Sequence, residues 1–166
     1  MDITRLSHNY TVRFLTDTDI VAIYELSAGN PLFYQYCPPF VTRQSIIDDM
    51  KALPPNKSYE DKYYIGFFKG TKLAAIMDLI LSFPDPNTAF IGLFMVNKSL
   101  QRDGIGSSII ADISAYIRSL GYSRIHLGFA KGNPQSEAFW KKNGFVKTGV
   151  ETQQDTYIVI SMQKEL

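Results

Sequence analysis

The sequence predicts one α+β domain, a twisted and mostly antiparallel sheet of about seven strands flanked by about four helices and turning parallel where helices cross over. Three observations carry that reading. The middle third runs as consecutive apolar strand-like segments separated by short turns, which is a meander. The apolar run Ala89–Val96 then passes through a glycine-containing segment into Ile105, Ile109, Ile110, Ile113, Tyr116, Ile117 and Leu120, spaced as one face of a helix. Strand and helix alternate from there to the end, and no repeat, low-complexity tract or linker divides the 166 residues.

Taken in order, Tyr10–Leu15 reads as the first strand, behind a start that looks disordered. Thr16 or Asp17 caps a helix to about Ala28, ended by Gly29-Asn30-Pro31. An aromatic loop, Leu32–Phe40, follows. A second helix starts after Thr42, with Ser45 in place of glutamate at the capping-box position, and stops at Pro54-Pro55. Lys62–Lys69 is turned by Gly70-Thr71 into Lys72–Phe83, and Pro84-Asp85-Pro86-Asn87 turns that into Thr88–Val96. The helix of the glycine segment ends at Gly121, a left-handed cap. Ser123–Ala130 is a strand, Pro134–Asn143 a short helix, and Phe145–Gly149 and Thr156–Met162 the closing strands.

A composition of 45% apolar and 20% charged residues describes a soluble globular chain. The formal charge of +1 gives no support for nucleic-acid binding. The single cysteine, Cys37, excludes an internal disulfide and a multi-cysteine metal site. No secretory leader is apparent, and the longest apolar stretch, Leu73–Phe83, is too short to span a bilayer and contains Asp78. The expectation is a cytoplasmic protein with no nucleic-acid, membrane or metal partner.

The segment Gln101-Arg102-Asp103-Gly104-Ile105-Gly106-Ser107 sits where a strand feeds a helix. A helix start carries unpaired N–H groups and the positive end of the macrodipole, and glycine lets a ligand approach the main chain closely. The segment is therefore an expected site for a phosphate or pyrophosphate. A dinucleotide fold would want a third glycine where Ile109 stands, and an NTPase loop would want Gly-Lys-Ser/Thr, which is absent.

A second segment, NPQSEAFWKKNGF from Asn133 to Phe145, follows about thirty residues later. The two together, with the strand order, closely resemble the GNAT superfamily of acyl-CoA-dependent N-acetyltransferases, over roughly Tyr10 to Met162. Gln101, Gly104 and Gly106 match the family's Gln/Arg-x-x-Gly-x-Gly/Ala signature. Asn133 to Phe145 is similar to its Asn-x-x-Ala-x-x-Phe-Tyr-x-x-x-Gly-Phe stretch, with Trp140 at the usual tyrosine. The resemblance implies a GNAT-like fold whose parallel pair of strands borders the cofactor cleft. It implies acetyl-CoA as co-substrate, with the amides of Gln101 to Ser107 on its pyrophosphate. The pantetheine arm would bond the main chain of Phe94, Met95 and Val96, beside a bulge in that strand, and Asn133 would reach the cofactor from the opposite side. A main-chain amide near Met95 and Val96 would meet the oxyanion. The implied reaction is direct acetyl transfer to a primary amine of a small molecule or peptide in a ternary complex. The resemblance also leaves a homodimer open, and a non-catalytic acyl-CoA sensor is the alternative function.

Asp78 interrupts an apolar strand, and counting back through the Pro84–Asn87 turn places it opposite Gly92, two positions before the expected bulge. A partly desolvated carboxylate gains proton affinity, which suits a base for a substrate ammonium, directly or through a water; the other reading is a buried structural aspartate. Many relatives carry a glutamate on the strand before the glycine segment, and Thr88 to Val96 holds none. Trp140 cannot serve as an acid, so solvent or another tyrosine would protonate the thiolate; it packs beside the cofactor or in the core. Arg102 either touches phosphate or is solvated. His126 and Cys37 read as packing residues. Phe33, Tyr34, Tyr36 and Phe40 line a substrate slot or form a cover, and Glu60 and Asp61 add negative charge near the pocket mouth.

Overall fold

The computed structural model describes all 166 residues. In chain order it contains β1 (Thr11–Phe14), α1 (Ile20–Ala28), α2 (Pro31–Tyr36), α3 (Arg43–Lys51), β2 (Lys62–Lys69), β3 (Lys72–Leu81) and β4 (Thr88–Val96). There follow α4 (Ile105–Ser119), β5 (Arg124–Ala130), α5 (Pro134–Lys142), β6 (Val146–Gln153) and β7 (Ile158–Glu165). The strands form one seven-stranded sheet in the order β1-β2-β3-β4-β5-β7-β6. Every neighbouring pair is antiparallel except β4 and β5, which are joined by the α4 crossover.

Alternation along the strands builds a core on each face of this sheet. Ile65, Phe67, Met77 and Ile91 meet Ile109, Ile113 and Ile117 of α4 and Trp140 of α5 on one face. Tyr64, Ile76 and Met95 meet Ile23 and Leu26 of α1 and Ile46 of α3 on the other. Helix α3 starts as its sequence suggests: Thr42 Oγ1 accepts from Ser45 N at 3.0 Å, and Ser45 Oγ accepts from Thr42 N at 3.0 Å.

Four expectations need correction. The aromatic stretch after Asn30 is partly helical, so there are five α-helices: Pro31 takes the first helical position, and Cys37 N bonds Phe33 O at 3.0 Å before Pro38-Pro39 stops the turn. The start is ordered, with a 3₁₀ turn at Ile3–Leu6, a fully buried Leu6, and His8 paired to Asp112 at 2.9 Å. The closing hairpin extends further, because Gly149 (φ +88°) is absorbed by an irregularity between Lys147 and Glu151 instead of ending β6. Finally, the bulge in β4 lies at Gly92 and not among Phe94–Val96. Asp78 pairs with Leu93 and Leu79 with Ile91, which leaves Gly92 as the extra residue.

Candidate active site

The bulge has a structural consequence. Pairing of β4 with β5 ends at Ile91 and Leu127, whereas β5 continues to pair with β7 as far as Ala130 and Val159. From Gly92 to Val96, β4 therefore leaves β5, and a cavity of about 230 Å³ opens between that strand, the start of α4 and one side of α5. Asn97 N donates to Ala74 O at 2.8 Å, so the two-residue alternation turns the main chain of Leu93 and Met95 toward β3. The N–H and C=O groups of Phe94 and Val96 face the cleft instead.

One of those groups is already held. Val96 O accepts from Asn30 Nδ2 at 3.2 Å and from Gln101 Nε2 at 3.0 Å, and Gln101 also donates to Asn30 Oδ1 at 2.6 Å. Asn30 is anchored in turn to Leu26 O at 2.9 Å. The side chain of Gln101 thus latches the end of α1 to the end of β4. The Val96 N–H and both main-chain groups of Phe94 remain for a ligand.

Helix α4 begins without a side-chain cap. Gly104 occupies the cap position at φ +77°, a left-handed conformation that glycine takes without strain, and Arg102 before it has φ +75°. The amides of Ile105, Gly106 and Ser107 consequently have no intrahelical acceptor and present the positive end of the helix to the cavity. By contrast, α5 is capped by its own sequence: Asn133 Oδ1 accepts from Gln135 N and Ser136 N, each at 3.1 Å. Gly106 sits in a tight space, since a Cβ there would lie 3.0 Å from Phe139 Cε2 and the ring would have to give way by a few tenths of an ångström.

Phe94, Met95, Val96, Gln101, Arg102, Gly104, Ile105, Gly106 and Ser107 all line this cavity, as do Asn133 and Trp140; Asp103 is exposed outside it. Trp140 is 7% exposed, its ring centroid 4.9 Å from that of Phe139 and 5.1 Å from that of Phe145, so it belongs to the core and to the cavity wall together. Sequence reasoning did not single out Asn30, Gln135, Ser136, Phe139 or Lys142, which also line the cavity. Phe139 carried a signal, since it is part of the Asn133–Phe145 stretch and lies within one helical turn of Ser136. Asn30 carried none beyond ending a helix.

Asp78 lies on the α1/α3 face of the sheet, directly across from Tyr64. Lys62, two residues earlier on β2, donates from Nζ to Asp78 Oδ2 at 2.7 Å, with side chains only 3% and 13% exposed. Oδ1 is buried without any hydrogen-bond partner. Burial raises the Asp78 pKa and the Lys62 contact only partly opposes it. A Cβ on Gly92 would come within 2.9 Å of Asp78 Oδ2, so the carboxylate lies over the bulge and requires glycine there. His126 bonds Ser161 and burial lowers its pKa; Cys37 is half-buried beside Tyr157, with burial raising its thiol pKa. Both sit in structural environments. Asp61 bonds Ser58 and Lys57 in the loop before β2 and does not line the cavity.

The family model described as the acetyltransferase (GNAT) family matches residues 22–145, three quarters of the chain and every element around the cleft. The chain belongs to the GNAT family of acetyltransferases. Solved structures share this fold. An acetyltransferase from Thermus thermophilus is 17% identical with a TM-score of 0.73, the match covering 96% of this chain and 99% of that one. The apo ribosomal L7/L12 α-N-protein acetyltransferase RimL is 16% identical with a TM-score of 0.74, covering 99% and 94%. The PaiA N-acetyltransferase of Thermoplasma acidophilum, solved in complex with coenzyme A, is 17% identical with a TM-score of 0.66, covering 93% and 98%. No curated protein matches the chain in sequence.

Proposed function

We propose that this GNAT acetyltransferase carries an acetyl group from acetyl-CoA to a primary amine of a small molecule or peptide by direct attack within a ternary complex. One observation carries the reading: the uncapped first turn of α4 opens onto the same cavity as the cleft-facing main chain of Phe94 and Val96. The residues suit the co-substrate. The free amides at Ile105, Gly106 and Ser107, with Arg102 and Lys142 nearby, suit a diphosphate. Phe94, Phe139 and Trp140 offer an apolar wall beside main-chain groups that an extended amide-containing arm can bond. When bound, acetyl-CoA supplies an acyl group activated as a thioester.

The Val96 and Phe94 N–H groups are the donors for the negative charge that grows on the carbonyl oxygen during attack. Asp78, directly or through a water, takes the proton from the amine, its burial having raised its affinity for one. No tyrosine lines the cavity, so solvent protonates the departing thiolate. Calorimetry with acetyl-CoA, CoA and NADH, followed by thiol detection across a panel of amines, tests the proposal. The expected outcome is tight binding of both acyl-CoA and CoA, none of NADH, and amine-dependent thiol release. Acetyl-CoA binding with no release for any amine would establish the sensor alternative instead.

Trp140 gives a sharper check. Trp140→Phe removes the indole N–H and part of a packed ring but keeps an aromatic wall, so the melting temperature should fall, for a cost of about 1–3 kcal/mol. Turnover per folded molecule should change less than about threefold, because the indole is no acid at neutral pH. A loss of a hundredfold or more in kcat at unchanged KM for acetyl-CoA would show that the indole acts on the reacting atoms.

A further inference from the structure

We propose that Asn30 is a positioning residue of this enzyme, holding the main-chain groups of β4 and the first turn of α4 at the separation that one molecule of acetyl-CoA must bridge. The inference rests on the acetyl-transfer reading above and adds to that site a residue that acts through Val96 and Gln101, not on the acyl group.

The bonding around Asn30 is complete. Its buried side chain gives both Nδ2 hydrogens to carbonyls, those of Leu26 at 2.9 Å and Val96 at 3.2 Å. Gln101 likewise gives both Nε2 hydrogens, to Asn30 Oδ1 at 2.6 Å and Val96 O at 3.0 Å, and its main-chain N–H goes to Lys98 O at 3.3 Å. Gln101 therefore has no donor left for a phosphate, although its place in the sequence is the head of the glycine segment. Val96 O receives two donors and has no lone pair left for an amide of the ligand's arm. An asparagine just before a helix ordinarily caps it, and Asn30 precedes α2, yet its side chain makes no cap bond there and turns back to α1 and β4. Helix α2 does without it, because Pro31 has no N–H and Phe33 N is satisfied by Asn30 O at 3.1 Å.

What these bonds fix is a distance between two half-sites. A ligand that grips α4 through its diphosphate and β4 through its arm engages both at once. The connection from Val96 to Gly104 holds only a 3₁₀ turn, Lys98–Leu100, and a left-handed step at Arg102 (φ +75°). No strand or α-helix sets its span. The Asn30–Gln101 pair crosses this connection, with Gln101 five residues beyond Val96. It is rooted in α1, whose Ile23 and Leu26 are buried against the sheet. From the α5 wall, Gln135 Nε2 adds a bond of 3.3 Å to Gln101 Oε1. All three amide side chains line the cavity. Setting the two halves beforehand spares the ligand the cost of aligning them, and that saving appears only for a ligand long enough to reach both.

CoA and 3′-phospho-ADP make the test, since the second keeps the diphosphate and lacks the arm. Binding of each is measured by calorimetry for the wild type, Asn30→Ala, Gln101→Met and the double variant, with thermal unfolding alongside. The expected result is a loss of about tenfold or more for CoA in each single variant, against a change of less than about threefold for 3′-phospho-ADP. The double variant should lose little more than either single one, because one set of bonds carries both effects. Gln101 is less buried than Asn30, so Gln101→Met decides the matter should Asn30→Ala not fold. Equal weakening of the two ligands would make Asn30 a structural residue only. Unchanged CoA affinity, additive losses, or failure of 3′-phospho-ADP to bind the wild type would also overturn the positioning role, while acetyl transfer stands. Absent CoA binding by the wild type would overturn the function instead.

Discussion

Gly106→Val is expected to reduce acetyl-CoA affinity by about a hundredfold or more. A Cβ at this position would lie 3.0 and 3.2 Å from two Phe139 ring atoms and 3.4 Å from Val96 Cγ2, and valine adds two methyl groups beyond it. The Phe139 ring cannot move aside easily, being stacked on Phe94 at 5.9 Å and set edge-on to buried Trp140 at 4.9 Å. Overpacking of that kind costs about 1–3 kcal/mol of stability and forces small backbone shifts. The shift falls on the first turn of α4, whose uncapped amides are the proposed grip on the diphosphate. Misdirecting two hydrogen bonds to a charged group removes about 3–6 kcal/mol, which is roughly two to four decades of affinity. Gly104→Ala is the control. Its φ of +77° strains alanine, but nothing lies within 4 Å of the added atom, so the effect on affinity should be much smaller. Calorimetric titration with acetyl-CoA, paired with thermal unfolding of each variant, separates the two. Wild-type affinity in Gly106→Val would remove the helix start from the binding site.

Why this corner of the molecule was legible in sequence, and the acidic corner only half so, has a physical explanation. Strands β2 and β4 have the limits expected, Lys62–Lys69 and Thr88–Val96, because unambiguous turns bound near-continuous apolar runs. The helix at Pro31–Tyr36 was hidden by its rings, since aromatic residues with a nearby Pro-Pro read equally as a loop. Strand β6 is exposed at every residue, so neither alternation nor apolarity marks where it ends. Asp78 was visible as an acid in an apolar run. Its partner Lys62 is 16 residues away, and only the register across Gly70-Thr71 joins them. The bulge did leave a trace, because a glycine inside a strand marks such a site, and Gly92 is the one in β4. The Asn30–Gln101 latch left none: the two amides meet across 71 residues of chain.

Breaking the Lys62–Asp78 pair from its two sides should give two different pH dependences of stability. Asp78→Asn leaves a nearly buried ammonium without its carboxylate, and removal of one partner from such a pair costs about 3–5 kcal/mol. Lys62→Met differs because a carboxylate can take up a proton. Burial already raises the Asp78 pKa against the opposing Lys62 contact, and without that contact it rises further. In the variant, then, the folded state holds a proton over a pH range where the unfolded state has lost it. Stability is retained near and below the ordinary carboxylate pKa and falls as pH rises toward the folded value. Urea unfolding of Lys62→Met at about pH 5 and about pH 8 should show the larger loss at the higher pH, while Asp78→Asn lacks this carboxylate titration. Replacing both, as Lys62→Met with Asp78→Leu, should recover most of the stability, since apolar packing often matches a buried ion pair. It should not recover turnover. With the proposed base gone, amine-dependent thiol release should stay about a hundred- to a thousandfold below wild type in both Asp78 variants, with acetyl-CoA affinity retained. Recovery of activity together with stability in the double variant would confine Asp78 to supporting the Gly92 bulge, and the proton would have to leave the amine by another route.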